Sequence, residues 1–443
     1  MLKQHIASFT ASQWRWSIYD WANSAFALVI TSTIFPIYFL SCTQGNAGRV
    51  DIFGTQLLNA SLFSYTIAAA FMLMLLTAPL LSAVADGFAA QKSCMMLLAI
   101  VGGAACMALF FFDKFNIQLG VFGLLVGVYA YSGGVLINNS YLPLIASNKE
   151  LERVSALGFS MGFLGSVLLQ LVLLITIQWH SIIGISESLA VRIGFVAVGF
   201  WWILFGVYAS YTMPRGTDQY QRKTLTILVS QAYTSWYRTI KVSLSDTQIK
   251  YFIIAYFFYT SGVQTIMFLA TIFAEKEINM PESLLILTIF LIQLLAIAGA
   301  YSTPHITKRL GKYKTLFLII LLWILICLLT YLYVYTAVTF MLIAACVGVS
   351  MGAIQSLSRA TFSALLMPTA DRVVQFSVYD MTEKLAIVTG TFTFALVGQL
   401  TSSLRVGILP VIGYFIIGAG LLYLWFIRNT TQSTTQSTTT NTL

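Results

Sequence analysis

The chain has 443 residues, of which 58% are hydrophobic and only 9% carry a charge. A water-soluble protein contains about a quarter charged residues, so this composition excludes an ordinary soluble globular protein. The formal net charge of +9 does not indicate nucleic-acid binding, because the basic residues form short clusters between apolar runs rather than one patch. The composition is typical of a polytopic membrane protein.

A membrane-spanning helix needs about 20 apolar residues, and twelve runs of the chain meet that length. The first run is too long for a signal-peptide core and lacks a small-residue cleavage site, so we expect no cleaved leader. The predicted spans are roughly residues 16–41, 58–85, 92–112, 117–146, 154–178, 190–212, 249–274, 283–303, 314–335, 337–366, 374–400 and 405–428.

The long interruption at 213–248 divides the spans into six and six. We therefore expect an N-terminal six-helix bundle at 1–212 and a C-terminal six-helix bundle at 249–428. Within the interruption, apolar residues recur at helical spacing, which predicts an amphipathic helix on the cytoplasmic membrane surface; an unstructured linker is the alternative. The polar, repetitive segment 429–443 is predicted to be a disordered tail. The apolar residues of the predicted amphipathic helix are Leu225, Leu228, Val229, Ala232, Trp236 and Ile240.

The lysines and arginines predict the orientation, because cytoplasmic loops are enriched in both. With the N-terminus inside the cell, 17 of the 24 lie on the cytoplasmic side and 5 on the far side, and the other two, Arg359 and Lys384, fall within spans. The opposite orientation would reverse that ratio. We therefore expect both termini to be cytoplasmic.

A faint internal repeat relates the two halves. The segment "NNSYLPLIASNKELERVSALGF" covers the end of the fourth span, a short basic loop and the start of the fifth, and "SLSRATFSALLMPTADRVVQFSVYD" does the same for the tenth and eleventh spans. Two parallel six-helix repeats joined by a cytoplasmic linker indicate an all-α membrane protein of the major facilitator architecture, with twelve transmembrane helices in two bundles.

Four charged residues fall inside the tenth and eleventh predicted spans: Arg359, Asp380, Glu383 and Lys384. A charge within the bilayer costs at least about 2.5 kcal/mol, so each is a candidate functional residue. The helical rise places Arg359 and Glu383 at similar depth, where they can meet, and the i,i+4 spacing allows Asp380 to pair with Lys384. The set is either a neutral structural lock or a site for substrate charge or a proton.

Asp20 is the single acidic residue of the first span, in the stretch "YDWANSAF". Asp20, Asn23, Ser24, Ala27 and Thr31 share one helix face that should point away from lipid. Asp20 either caps the start of the helix, with Trp16 as an interfacial anchor, or is a cavity-lining carboxylate that carries a proton. Asp86, after the second span, is expected in a gate loop rather than in a ligand site.

Uncharged polar residues complete a candidate pathway, although each could also simply bond a neighbouring helix. Small residues such as Gly162 and Gly165 in the fifth span, and Gly348 and Gly352 in the tenth, allow close approach of helices. The uncharged candidates are Asn138, Asn139, Ser140, Gln170, Gln264, Gln293 and Gln355.

Several segments resemble a major facilitator family that includes the autophagy-related vacuolar amino-acid effluxers of fungi. The resemblance covers residues 14–428 and is carried by "YDWANSAF", "FPIYF", "LPLIASNKELERVSALGFSMGFLG", "YTSGVQTIMFLATIF" and "QSLSRATFSALL". It implies a secondary transporter of amino acids or related small solutes. By motif position it points to Asp20, Asn23, Gln264, Gln355 and Arg359.

Two segments depart from the family pattern. Thr260 and Ser261 stand where the family has Asn-Asp, and the loop "ADGFAAQK" is a degraded form of a basic motif. The short loops resemble bacterial members, so we expect a bacterial inner (plasma) membrane protein.

The sequence predicts no enzyme, because the three histidines lie far apart and no nucleophile or nucleotide motif is present. It likewise predicts no metal site and no cofactor, with a proton gradient as one candidate driving force. The expected partners are a small-molecule substrate and the lipid bilayer, with no nucleic acid, for a monomeric protein. The alternatives are a drug or metabolite proton antiporter of the same fold, and a non-transporting membrane sensor or lipid-handling protein.

Overall fold

The computed structural model describes residues 9–43, 49–52, 54–214, 225–366, 372–401 and 403–440. Twelve helices within these residues are long and apolar enough to cross a membrane, as the sequence predicts. In an apolar environment a helix satisfies its own backbone hydrogen bonds, which is why uninterrupted apolar runs adopt this form.

The first six long helices are followed by a further helix, Leu225–Ser245, which we call the linker helix. The six are α1 (Ala11–Cys42), α2 (Asn59–Gly87), α3 (Gln91–Ala108), α4 (Ile117–Ile145), α5 (Leu151–Gln178) and α6 (Glu187–Thr212).

The second set of six begins directly after the linker helix. Its members are α7 (Thr247–Ile278), α8 (Glu282–Leu310), α9 (Lys312–Tyr333), α10 (Ala337–Leu365), α11 (Arg372–Thr401) and α12 (Ile408–Thr440).

A short β-hairpin between α1 and α2 was not predicted. Strands β1 (Arg49–Ile52) and β2 (Thr55–Leu58) pair antiparallel, with Asp51 opposite Gln56. Gly54 turns the chain at φ +79° and donates its backbone N–H to Asp51 Oδ1 at 3.1 Å. A left-handed glycine beside an aspartate is a common turn device.

The described residues form two compact units. Unit 1 comprises Met1–Asn148, Leu157–Tyr237 and Thr369–Ser377, and unit 2 comprises Lys149–Ala156, Arg238–Pro368 and Val378–Leu443. The start of α5 therefore belongs to unit 2 and the start of α11 to unit 1. These two segments, Lys149–Ala156 and Thr369–Ser377, lie at corresponding positions of the internal repeat.

The linker helix lies in the interruption where the sequence predicts an amphipathic helix. Its Ala232 is buried, Tyr233 donates to Leu76 O of α2 at 2.8 Å, and Trp236 donates to Ser377 Oγ at 2.8 Å. Residues 215–224, also within the predicted linker, lie outside the described part.

The C-terminal segment differs from its prediction. Helix α12 continues to Thr440, whereas the sequence predicts disorder from residue 429. The segment contains no proline or glycine to end a helix, so the polar composition alone was a poor guide to its backbone.

Glycines bring α8 and α10 into close contact within unit 2. A Cβ added at Gly348 would lie 2.6 Å from Ile292 O, and one at Gly352 would overlap Ala296 O. Small residues let the two helix backbones approach closely. This packing holds membrane helices together, because the hydrophobic effect does not drive helices to associate within lipid. The predicted role of Gly348 and Gly352 is confirmed.

We predict that Gly352→Ala lowers the stability of the protein by about 1–3 kcal/mol, because the added methyl has only backbone to displace. The measurement is the thermal unfolding midpoint of the detergent-purified chain. Gly413→Ala on α12 is the matched control, since its Cβ would meet nothing within 4 Å. An equal midpoint for the two variants would contradict the packing argument.

Candidate functional site

Asp20 lies within α1 and does not cap it. The cap is Thr10, whose hydroxyl accepts from Gln13 N while the Gln13 side chain accepts from Thr10 N. The capping alternative for Asp20 is therefore wrong. Asp20 is only 9% exposed, so its carboxylate needs protein partners.

Asn138 of α4 is a partner of Asp20 and donates Nδ2 to Asp20 Oδ1 at 2.9 Å. The predicted pathway residue Asn139, next along the helix, is also buried but is not the residue that makes this bond. The backbone carbonyl of Asn138 accepts from Trp16 Nε1 at 2.8 Å. Trp16 is fully buried, so the prediction that it anchors the chain at the membrane surface is wrong.

Asn23 lies one turn after Asp20 and is also turned toward α4, where its Nδ2 donates to Tyr131 O at 3.3 Å. Asn23 and Asn138 are 1% and 0% exposed. The two asparagines therefore join α1 to α4, Asn138 through Asp20 and Asn23 one turn further along α1.

Directly after this segment, α1 widens into a π-helix over Phe26–Ile34. Three consecutive hydroxyl side chains each bond the carbonyl five residues earlier: Thr31 to Phe26, Ser32 to Ala27 and Thr33 to Leu28. This wider winding breaks the predicted stripe from Asp20 to Thr31, which assumed a uniform α-helical period. Such π segments are frequent at functional sites.

Helix α5 packs closely against the same part of α1. A Cβ at Gly162 would lie 2.6 Å from Ser24 Oγ and 3.3 Å from Asp20 O, and one at Gly165 would lie 2.8 Å from Trp21 O. The glycines thus bring the α5 backbone beside the Asp20 turn, as the sequence predicts.

In unit 2, the predicted i,i+4 ion pair on α11 forms. Lys384 Nζ lies 2.7 Å from Asp380 Oδ1, with side chains that are 8% and 3% exposed. Lys384 also lies 3.8 Å from Glu383 Oε2, and the Glu383 side chain is 23% exposed. Glu383 is therefore the most accessible charge of this cluster.

The predicted meeting of Arg359 with Glu383 does not occur among the described residues. Glu383 Oε1 accepts from Gln264 Nε2 of α7 at 2.7 Å, and its cationic neighbour is Lys384. Arg359 instead donates Nε to Ser155 Oγ at 3.0 Å and Nη2 to Ser155 O at 2.9 Å. Equal depth along two helices does not fix the direction in which each side chain turns.

Aromatic side chains pack beside this cluster. The rings of Tyr256 and Tyr379 stack with centroids 4.2 Å apart, and the Tyr259 hydroxyl bonds Ser358 Oγ at 2.7 Å. Gln355 Nε2 donates to a weak acceptor, Met267 Sδ, at 3.7 Å.

Asp86 lies in the last turn of α2 rather than in a loop, because α2 continues to Gly87. Its Oδ2 accepts from the backbone N–H groups of Val373 and Val374 at 3.0 and 3.2 Å, and its Oδ1 from Gln91 at 3.2 Å. All four residues belong to unit 1. Asp86 therefore satisfies the free donors at the start of α11, where the helix dipole favours an anion.

Sequence reasoning missed the partners rather than the charges. Ser155, Tyr256 and Tyr379 carry no sequence signal that separates them from other serines and tyrosines in spans. Asn138 had such a signal, an amide in the middle of an apolar run, but Asn139 had the same one.

The whole chain is similar to a known family. The family described as "Vacuole effluxer Atg22 like" matches residues 10–435. The chain belongs to that family. Its membership of this major facilitator group, predicted from the sequence, is confirmed.

Individual relatives agree with this assignment. The Uncharacterized MFS-type transporter YxiO of Bacillus subtilis is 27% identical over 430 residues, covering 96% of each chain. Autophagy-related protein 22-2 of Aspergillus oryzae is 23% identical, covering 81% of this chain and 73% of its own.

Solved structures identify the fold. The human organic anion transporter MFSD10 has a TM-score of 0.71 at 14% identity, covering 93% of this chain and all of its own. The proton:xylose symporter XylE has a TM-score of 0.71 at 10% identity, covering 93% and 94%. The fold is the major facilitator fold, and the protein is a multi-pass membrane protein of a transporter family.

We predict that Asp86→Ala lowers the stability of the protein by about 1–2 kcal/mol. The buried backbone N–H groups at the start of α11 would lose their hydrogen-bond acceptor. The thermal unfolding midpoint of the purified chain is the readout. Asp246→Ala is the matched control. Asp246 caps α7 by accepting from Gln248 N and Ile249 N, but it is exposed. Water can bond these N–H groups in its place, so the loss of stability should be about 0.5 kcal/mol. A larger loss at Asp246 than at Asp86 would refute this account.

Proposed function

We propose that the protein is a secondary transporter that moves amino acids or related small metabolites across a membrane by alternating access. Membership of a family described as vacuole effluxers supports this substrate class and an export direction. The similarity to MFS-type transporters along nearly the whole chain supports the transport mechanism.

The observation that carries the proposal is the charge cluster within unit 2. A charged group is tolerated among membrane-spanning helices when it serves a pathway or a partner. Asp380 and Lys384 neutralise each other at 2.7 Å, whereas Glu383 keeps a more exposed carboxylate whose Oε1 is oriented by Gln264. The Glu383 carboxylate would bind the ammonium group of an amino acid. The buried cations of unit 2, Arg359 and Lys384, would attract the carboxylate of the same amino acid.

The energy would come from an ion gradient. The coupling ion would be a monovalent cation, a proton among them, and Asp20 is a buried carboxylate of unit 1 at which it would act. The excess of 17 basic residues over 5 supports an orientation with both termini in the cytoplasm, and the bacterial relative supports the inner membrane.

The test is efflux of radiolabelled amino acids from proteoliposomes that contain the full chain. We expect saturable efflux, reduced by Glu383→Gln because losing a charged hydrogen-bond partner costs about 1.5–3 kcal/mol of binding, which is about tenfold or more. Glu275→Gln, an exposed position on α7, is the matched control and should retain wild-type efflux.

Three outcomes would contradict the proposal. Efflux of a cationic drug but of no amino acid would favour the antiporter alternative. Lipid scrambling without solute flux would favour a lipid-handling protein. Equal efflux by the Glu383→Gln and wild-type proteins would exclude Glu383 from the pathway.

A further inference from the structure

Three buried oxygen-bearing side chains lie along the contact of α1 with α4 in unit 1. Asp20 is 9% exposed, Asn23 1% and Asn138 0%. Asn138 Nδ2 donates to Asp20 Oδ1 at 2.9 Å, and Asn23 Nδ2 donates to Tyr131 O at 3.3 Å.

The orientation of both amides is fixed by what they face. The Tyr131 carbonyl can only accept a hydrogen bond, and so can an ionised Asp20, so each asparagine must present its NH₂ group there. The amide oxygens then point elsewhere. Asn23 Oδ1 and Asn138 Oδ1 are both buried, and neither has a hydrogen-bond partner in the described part of the chain.

Two buried amide oxygens without a donor are unusual, since buried polar atoms are nearly always paired. Asn138 Oδ1 shares a carbon atom with the nitrogen that bonds Asp20, so it lies beside the carboxylate. Asn23 lies one helical turn from Asp20 on α1. The three side chains therefore place a carboxylate and two amide oxygens that accept no hydrogen bond from the described residues at neighbouring positions along the α1–α4 contact.

The chemistry of these oxygens favours a cation over a proton. A proton on Asp20 could serve one acceptor, whereas a hard cation or an ammonium group binds several oxygens at once. A single carboxylate balances a single positive charge. The π-helical segment that begins at Phe26 adds irregular winding next to the cluster, a feature that is frequent at functional sites.

We propose that Asp20, Asn23 and Asn138 form a binding site for a monovalent cation, either an alkali-metal ion such as Na⁺ or the primary ammonium of a solute. The role of this site in coupling or substrate binding rests on the proposed function. The binding itself does not, so the two can fail separately.

The experiment measures the thermal unfolding midpoint of the purified full chain while choline chloride is replaced by NaCl at constant ionic strength. A parallel series adds L-amino acids in choline chloride alone. We expect a saturable rise in the midpoint in one series. A rise with Na⁺ alone identifies an alkali-ion site. A rise with amino acids alone that is lost in Asn23→Ala identifies an ammonium site here, because binding at Glu383 would survive that variant.

The variants locate the effect. Asp20→Asn and Asn23→Ala should each weaken the apparent affinity for the cation by more than about tenfold. Even the mutation of a residue that only supports a metal's ligands weakens metal affinity by that much. Asn279→Gly, an exposed asparagine at φ +54° in unit 2, should bind as the wild type does. If Asp20→Asn does not fold, Asn23→Ala decides the result.

The proposal is overturned if neither series shifts the wild-type midpoint, or if the shift is unchanged in Asn23→Ala. It is also overturned if the midpoint responds to pH but to neither cation. Cation binding without amino-acid efflux would leave the site intact and refute the proposed function. Amino-acid efflux without cation binding would support the proposed function and refute the cation site.

Discussion

A polar side chain between membrane helices must be satisfied by protein atoms or by a bound ligand, because the surrounding hydrocarbon offers neither water nor counter-ions. Each buried ionisable group described in this protein meets that constraint in a different way. Asp20 accepts from an amide of α4, Arg359 donates twice to Ser155, and Lys384 pairs with Asp380. Asp86 uses the backbone donors at the start of α11.

The helix packing follows from the same constraint. Partners must lie within about 3 Å of each other, so the helices that carry them need close and fixed contacts. Gly162 and Gly165 bring α5 against the turn of α1 that holds Asp20, and Gly352 brings α10 against α8. Within α1 the helical geometry changes at Phe26–Ile34, where Thr31 and its neighbours bond carbonyls five residues back.

The sequence was sufficient for features that depend on composition or local spacing. Hydropathy located twelve spans, helical period located the amphipathic linker helix, and i,i+4 spacing found the Asp380–Lys384 pair. It was insufficient where the outcome depends on rotation of one helix against another. Depth alone suggested that Arg359 meets Glu383, but side-chain direction separates them. The choice between Asn138 and Asn139 is of the same kind, since adjacent residues on a helix point about 100° apart.

The Asp380–Lys384 pair gives the most direct test of the constraint, because both partners lie on one helix and are almost fully buried. The measurement is the free energy of unfolding of Asp380→Leu, Lys384→Met and the double variant. The account predicts a loss of about 3–5 kcal/mol for each single variant and a smaller loss for the double variant, in which neither charge of the pair remains and Glu383 keeps its bond to Gln264. Single variants as stable as the wild type, or a double variant as unstable as the sum of the two, would contradict it.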